Sequence, residues 1–277
     1  MLYIVGTPIG NLKDITHRAI EVLNQVDEIA CEDTRHTMGL LNAYGIKKPL
    51  VAYHKFNEKS AGEKLAQKLK NGKNIALVTD AGMPLISDPG STLIKTLIAE
   101  NLEYTVVPGA TAFVCALVMS GLLDYRFCFV GFLPDKKSEK KRIISLYKDM
   151  DCPLVFYCAP QDIDDLTEFL CLELGNRKAV SVREITKAFE TREEFMLSEG
   201  YKGERRGEFV IIVEGKTAGE KNFELSVNEH IALYLSRGMD KKEAMKKVAK
   251  DRGVPKRAIY QALLTLLLIL CCVGCTA

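Results

Sequence analysis

Short apolar runs and amphipathic runs alternate along this chain from its first residues. Leu2 to Val5, Asp27 to Cys31, Pro49 to Tyr53, Asn74 to Thr79 and Tyr104 to Val107 are short, largely apolar and bounded by turn residues, which predicts strands. Between them, helical spacing predicts helices. Asp14 stands as a cap before Ile15, Ala19, Val22, Leu23 and Val26, which share one face. Thr34 to Tyr44, the Lys-rich Glu58 to Lys70, Pro89 to Glu100 and an apolar segment ending at Ser120 follow the same period. After a linker-like Gly121 to Arg126, strands are predicted at Phe127 to Val130, Leu154 to Tyr157, Ala179 to Val182 and Glu208 to Glu214. Helices fall at Lys136 to Met150 and Ile163 to Leu174, while Ala188 to Phe195 fits neither period cleanly. The polar Thr217 to Glu224 reads as a connector. Three helical segments come after it, Val227 to Ser236, Lys241 to Asp251 and Lys256 onward. Strands alternating with helices imply an α/β chain with a largely parallel sheet covered by helices. The divisions expected are an N-terminal α/β domain at 1–120, a second α/β domain at 121–216 and a C-terminal helical extension at 217–277.

The polar motifs of the first half fall where such a sheet binds ligands, outside the carboxyl ends of its strands. They are Gly6-Thr7-Pro8-Ile9-Gly10, Glu32-Asp33-Thr34-Arg35-His36, Tyr53-His54, Asp80 to Asp88 and Pro108-Gly109-Ala110-Thr111. Five such motifs on one edge point to a ligand-holding edge. In LVTDAGMPLISDPG, glycine permits close backbone approach and proline stiffens the loop. Asp88-Pro89 reads as a helix cap followed by proline at the first helical position. The first motif lacks the G-x-G-x-x-G pattern and has no Gly-Lys-Ser/Thr, so neither dinucleotide fingerprint nor P-loop is present. Asp33 is placed to cap the next helix, and Arg35 to pair with a neighbouring carboxylate. His36 and His54 are candidate bases, though a lone histidine is more often structural. No catalytic triad stands out.

With 277 residues, 47% of them hydrophobic, the chain can build one large or two medium cores. A net charge of +2 excludes a polycation, but the charge is uneven. Arg237 to Arg257 carries nine basic and three acidic residues around Gly253-Val254-Pro255. That segment reads either as solvated amphipathic helices or as a helix-turn-helix-like pair able to track phosphates. Smaller basic clusters lie at Lys136 to Arg142 and Lys202 to Arg206. The nine cysteines form no compact disulfide framework, and the first six sit in apolar contexts. They read as buried thiols of a reducing cytosol, so a cytoplasmic location is expected. No Cys/His cluster has zinc-like spacing, and no metal is expected. The N-terminus lacks the basic start of a signal peptide. Ala262 to Val273 is almost wholly apolar, yet twelve residues fall short of the roughly 20 that span a bilayer. A packed terminal helix is expected there, without integral membrane association.

YIVGTPIGNLKDIT, ACEDTRHT, LVTDAGMPLISDPG, PGATA, GFLP and GEFVIIVEG occur in this order. Together they resemble the ribosomal small-subunit RNA 2′-O-methyltransferases that modify a cytidine ribose, within the tetrapyrrole-methylase-like superfamily. The resemblance covers Tyr3 to Gly215, and the basic helices fit that family's C-terminal extension. It implies a two-domain tetrapyrrole-methylase-like architecture with S-adenosylmethionine in the cleft, a homodimer, and 16S rRNA of the small subunit as substrate. By position, Thr7, Pro8, Gly10, Asp80, Ala81, Gly82, Pro84, Ile86, Thr111 and Ala112 would line the donor site, with Tyr157 and Cys158 facing it from the second domain. Lys13, Asp33 and Arg35 are candidates for substrate handling, and no general base is singled out. Lys136, Lys137, Lys140, Lys246, Lys247, Lys256 and Arg257 are candidate RNA contacts. Three departures from the family pattern stand out: Gln161-Asp162 where His-Arg is usual, PGATA in place of PGPSA, and the apolar tail after Tyr260. Two other readings are a tetrapyrrole C-methyltransferase and a non-catalytic RNA-binding assembly protein with a degenerate donor pocket. The basic helices and the Glu-Asp-Thr-Arg motif argue against the first. Only the changed Cys158 to Asp162 segment supports the second.

Overall fold

The computed structural model describes residues 1–123, 125–216, 226–236, 238–252 and 254–259. Two compact units emerge. One comprises Met1–Lys148 with Cys152–Glu214, the other Asp149–Asp151 with the chain from Gly215 onward.

The first unit holds two five-stranded sheets. The first sheet contains β1 (Leu2–Val5), β2 (Glu28–Cys31), β3 (Leu50–Ala52), β4 (Ile75–Leu77) and β5 (Tyr104–Val107). Its order is β3-β2-β4-β1-β5 and every pairing is parallel. Helices cover both faces, which is why the strands read as continuous apolar runs. The helices α1 (His17–Gln25) and α2 (Thr34–Ala43) enclose Val5, Leu23, Ile29 and Leu41 on one face. On the other, α3 (Glu58–Lys70) and α4 (Ser91–Ala99) bury Leu2, Ile4, Leu65 and Leu93.

The helix starts correct two sequence expectations. Asn11 to Asp14 first forms a 3-10 turn, so Thr16 caps α1 in place of Asp14, accepting from the Ala19 N–H at 3.1 Å. Asp88 does not cap α4 and Pro89 is not its first residue. The helix begins at Ser91, after Gly90 at φ +137°. Its cap comes from α3, where Glu58 Oε1 accepts from the N–H groups of Gly90 at 2.9 Å and Thr92 at 3.3 Å. The Tyr53 hydroxyl also donates to Glu58 at 3.3 Å. A remote carboxylate thus replaces the local one, and Asp88 is released toward the strand ends. Asp33 does cap α2, accepting from Arg35 N at 2.7 Å and His36 N at 3.3 Å.

The Glu58 cap makes stability depend on pH. Burial pushes its carboxyl up, but the Gly90 and Thr92 donors outweigh burial and hold it below its ordinary value of 4.5. A depressed acid contributes stability that is complete above pH 4.5 and lost as acidification passes its folded value. Glu58→Gln is expected to cost about 1–2 kcal/mol at pH 7 and to flatten the acid limb of the stability curve. Denaturant melts from pH 3 to pH 7 (about four units, spanning the carboxylate range) check this. An unchanged acid limb would contradict it.

The second sheet contains β6 (Cys128–Gly131), β7 (Leu154–Cys158), β8 (Lys178–Arg183), β9 (Thr191–Met196) and β10 (Phe209–Val213), in the order β6-β7-β10-β8-β9. Only β6 and β7 run parallel; the other pairings are antiparallel. The parallel sheet expected for the N-terminal half is the first sheet; in the second, β10 inserts between β7 and β8 antiparallel to both. The ambiguous Ala188 to Phe195 segment contains β9. This edge strand is only partly buried, and its Arg192, Glu193 and Glu194 obscure the strand pattern. Helix α6 (Lys137–Ser145) stops five residues short of the expected Met150, in tight turns at Leu146 and Tyr147 that bond back to Ile143 and Ile144. Together with α7 (Ile163–Leu174), α6 covers one face around Leu154, Phe156 and Leu170. The other face receives α5 (Ala112–Ser120), whose Ala116 and Leu117 pack on Val155, Val180 and Ile212. A helix from the first half thus completes the core of the second sheet. Cys31, Cys152 and Cys158 are buried as expected, but Cys115 is exposed on α5.

The second unit contains α8 (Val227–Ser236), α9 (Lys241–Asp251) and a helical turn at residues 256–259. Ile231, Met245, Val248 and Ile259 form its core. Asp240 caps α9, accepting from Lys242 N and Glu243 N at 2.7 and 2.9 Å. Gly253, the Thr217 to Glu224 connector and the apolar Ala262 to Val273 segment lie outside the described residues. Among the described residues no helix is long and apolar enough to cross a membrane.

Candidate functional site

A cavity of about 380 Å³ lies at the carboxyl ends of the first sheet's strands. Its first wall is Glu32 after β2, the Thr79 to Asp88 loop after β4, and Thr111-Ala112 at the start of α5. The opposite wall comes from the second sheet, with Tyr157 and Cys158 of β7, Phe209 and Val210 of β10, Phe132 and Ile185.

Close backbone contacts set the first wall. A Cβ on Gly6 would lie 2.7 Å from Gly109 Cα and 2.6 Å from Met83 Sδ, and one on Gly109 would lie 2.8 Å from Gly6 Cα. The loops after β1 and β5 therefore touch through backbone that only glycine permits. Thr7 locks the loop after β4. Its N–H donates to Gly82 O at 2.9 Å, it accepts from Gly82 N at 3.2 Å, and its hydroxyl donates to Thr79 O at 3.1 Å.

Three carboxylates meet on this wall. Asp80 Oδ1 accepts from the Asp33 N–H at 3.2 Å. The Thr79 hydroxyl donates toward Glu32 at 3.5 Å and is also hydrogen-bonded to Asp88. Burial pushes the Asp88 carboxyl above its ordinary value; Thr79 opposes the shift, and the charges of Glu32 and Asp80 add to it. Across the cavity the wall is mostly apolar, apart from Glu208, whose carboxylate pairs with Lys187 at 2.9 Å. The Tyr157 ring lies 5.1 Å from Phe129 and 5.3 Å from Phe132, and Phe113 stacks on Phe129 at 4.3 Å. Burial, with the charge of Asp162, pushes the Cys158 thiol up to about 12. It is therefore protonated at neutral pH and unsuited to nucleophilic work.

The sequence candidates divide by this geometry. Asp80, Ala81, Gly82, Ile86, Thr111, Ala112, Tyr157 and Cys158 line the cavity. Thr7, Pro8, Gly10 and Pro84 do not. The Thr7 hydroxyl is spent on the loop, and Pro8 is buried. Gly10, at φ +148°, packs against Lys187, whose ammonium bridges Glu184 and Glu208 at 2.9 Å each. Pro84 lines a smaller hollow with Glu32, Tyr53, Thr79 and Asp88. Lys13, Asp33 and Arg35 are exposed outside the cavity. The Arg35 and His36 N–H groups hold the Asp33 carboxyl below its ordinary value, as befits a cap. The Arg35 guanidinium forms no ion pair among the described residues, so the expected carboxylate pairing is not made.

Sequence reasoning placed Glu32 in the motif after β2 on the ligand-holding edge but did not single it out as a cavity residue. It also missed Phe132, Ile185, Phe209 and Val210, which carry no local signal. Ile185 sits between Glu184 at φ +52° and Thr186 at φ +65°, two left-handed residues that turn it inward. Of the basic candidates, Lys136 is largely exposed and pairs with Glu139 at 3.3 Å. Lys137 is exposed, and Lys140 lies within electrostatic reach of Cys158. In the second unit Lys246, Lys247 and Arg257 are exposed and Lys256 is half-buried.

Residues 1–199 match the family described as Tetrapyrrole (Corrin/Porphyrin) Methylases. The chain belongs to this family. Solved tetrapyrrole methylase folds superpose on it. A diphthine synthase matches with TM-score 0.62 at 17% identity, over 78% of this chain and 90% of that one. A uroporphyrin-III C-methyltransferase from Thermus thermophilus, complexed with S-adenosyl homocysteine, matches with TM-score 0.54 at 18% identity, over 76% and 96%. Among curated relatives, the chain is 43% identical to the ribosomal RNA small subunit methyltransferase I of Bacillus subtilis, over 95% of this chain and 93% of the relative. The proteins of the same description from Haemophilus influenzae and Escherichia coli O157:H7 are 44% and 41% identical, each over 94% of this chain.

Proposed function

We propose that this chain is an S-adenosylmethionine-dependent methyltransferase that 2′-O-methylates a cytidine ribose in 16S rRNA of the small ribosomal subunit, in the cytoplasm. The end-to-end similarity to small-subunit rRNA methyltransferases carries this reading.

The residues present fit the donor. The contact between Gly6 and Gly109 holds the β1 and β5 loops together behind the wall, and Ala81, Gly82, Thr111 and Ala112 on the wall itself are small enough to leave peptide groups accessible for hydrogen bonding. Glu32, Asp80 and Asp88 complement a cationic ligand, and the Tyr157–Phe132 wall offers an apolar surface for a flat base. S-adenosylmethionine supplies a sulfonium-bound methyl group, reactive enough that positioning the acceptor oxygen accounts for much of the rate. In this reading Asp80, Ala81, Gly82, Ile86, Thr111 and Ala112 hold the donor from residues 1–120, and Tyr157 and Cys158 close over it from residues 121–216. The extension at 217–277, with Lys246, Lys247, Lys256 and Arg257, tracks RNA phosphates, joined by Lys136, Lys137 and Lys140. A homodimer belongs to the same proposal. Its support is the apolar surface of the edge strand β5 (Tyr104, Val106) and the outer side of α5 (Val114, Val118), all exposed in the single chain.

The test is ribose-methylation mapping of small-subunit rRNA from cells with and without the gene. Loss of one cytidine 2′-O-methyl group, restored by purified protein and donor, is expected. A base methylation, or no rRNA change, would overturn the assignment.

A further inference from the structure

Phe56 is one of the two most exposed large hydrophobic side chains among the described residues, with 89% of its surface in water. It stands on the turn after β3, at the carboxyl edge of the parallel sheet. Beneath this turn the buried Tyr53 packs in a small hollow with Glu32, Thr79 and Asp88, three residues that also line the cavity.

This turn is built to hold the ring out. Tyr53 is buried beneath it and its N–H donates to Cys31 O at 2.7 Å. Asn57 clamps the turn from both sides: its Oδ1 accepts from His54 N at 2.9 Å, and its Nδ2 donates to Ala52 O at 3.0 Å. The Lys55 ammonium lies 5.6 Å from the Phe56 ring centroid, and the His54 ring meets it edge-on at 6.1 Å. One face-accessible ring beside a cation, on a stiff turn, matches how single-stranded nucleic acid is held: the base stacks and the cation meets the phosphate. Lys55 and Lys59, both exposed, flank the ring with charge that suits RNA better than an apolar protein surface.

We infer that Phe56 is a stacking platform for an unpaired RNA base next to the methylated nucleotide, with Lys55 on the adjoining phosphate. This rests on the RNA-methyltransferase reading above and specifies how its substrate is held. The clamped turn needs no reordering on binding, so the contact acts chiefly on RNA affinity.

The experiment is steady-state methylation of small ribosomal subunits from a strain lacking the gene, using wild-type protein and the Phe56→Ala, Phe56→Trp and Phe56→Leu variants. Calorimetry with S-adenosylhomocysteine runs alongside. Phe56→Ala is expected to raise KM for subunits about 5- to 150-fold, the range for one lost base stack, with donor-site affinity unchanged. Phe56→Trp restores KM to within about threefold and Phe56→Leu does not, because only an aromatic ring stacks. An active wild type with an unaffected Phe56→Ala variant overturns the contact alone. Restoration by Phe56→Leu also overturns it, pointing to an apolar contact with a ribosomal protein. A wild type inactive on subunits overturns the RNA reading itself, and the contact with it.

Discussion

Gly109→Ala is expected to abolish detectable S-adenosylmethionine binding and to lower the unfolding free energy by about 1–3 kcal/mol. The methyl group it adds would sit 2.8 Å from Gly6 Cα and 2.9 Å from Gly6 C and O, all backbone atoms that no rotamer change can move. The loops after β1 and β5 would have to separate. The β1 loop also carries Thr7, whose paired bonds to Gly82 hold the loop after β4 in place. Separation therefore spreads from a structural contact to the cavity wall. Gly39→Ala is the matched control. Gly39 lies within α2 with nothing inside 4 Å of an added Cβ, so alanine there is expected to stabilise by about 0.5–1 kcal/mol and leave binding intact. Calorimetry with the donor and denaturant melts of both variants check the pair. Wild-type affinity in Gly109→Ala would refute the claim that this contact shapes the site.

Asp88→Asn is expected to separate binding from stability. Burial, reinforced by the charges of Glu32 and Asp80, holds the Asp88 carboxyl above its ordinary value of 3.8, so its ionised form opposes folding at neutral pH. The sign follows from proton uptake. Between the ordinary value and the raised one, the folded state binds more protons, so wild-type stability improves relative to the variant as pH falls through that window. At pH 7 the neutral amide is expected to raise the stability of ligand-free protein by about 0.5–2 kcal/mol, as relieving a functional strain commonly does. Affinity moves the other way, because the cavity's negative charge faces a cationic donor. Binding of S-adenosylmethionine is expected to weaken about tenfold, or about 1.4 kcal/mol. S-adenosylhomocysteine, whose sulfur carries no charge, should change by less than about threefold, as expected for an electrostatic contact. Equal losses for the two ligands would show that Asp88 does not sense the sulfonium.

Local chemistry made much of this molecule legible. The first sheet could be read because strands buried on both faces must be nearly continuous in apolar residues, and its five turn motifs mark one edge. Asp33 could be read as a cap because its partners, Arg35 N and His36 N, are two and three residues away. Asp88 was misread by the same logic. Its Asp-Pro context is a sound local signal, but Glu58 on another helix took the cap, 32 residues away in sequence. The second sheet's direction was not legible either. Its first three strands are separated by helices as the first sheet's are, but β8, β9 and β10 follow one another without an α-helix, and these last strands make every antiparallel pairing.

By itself, then, the sequence determined the parallel sheet, the site-bearing edge and the family motifs, because each rests on contacts within a few residues or on the period of one element. Tertiary structure alone decided the rest. It placed α5 on the second sheet, turned Ile185, Phe132 and Val210 into the cavity, and brought Glu32, Asp80 and Asp88 together from positions up to 56 residues apart. The physical reason is that desolvation and charge coupling depend on distance in space. No local pattern records which carboxylates share a wall, or which helix end a distant glutamate caps.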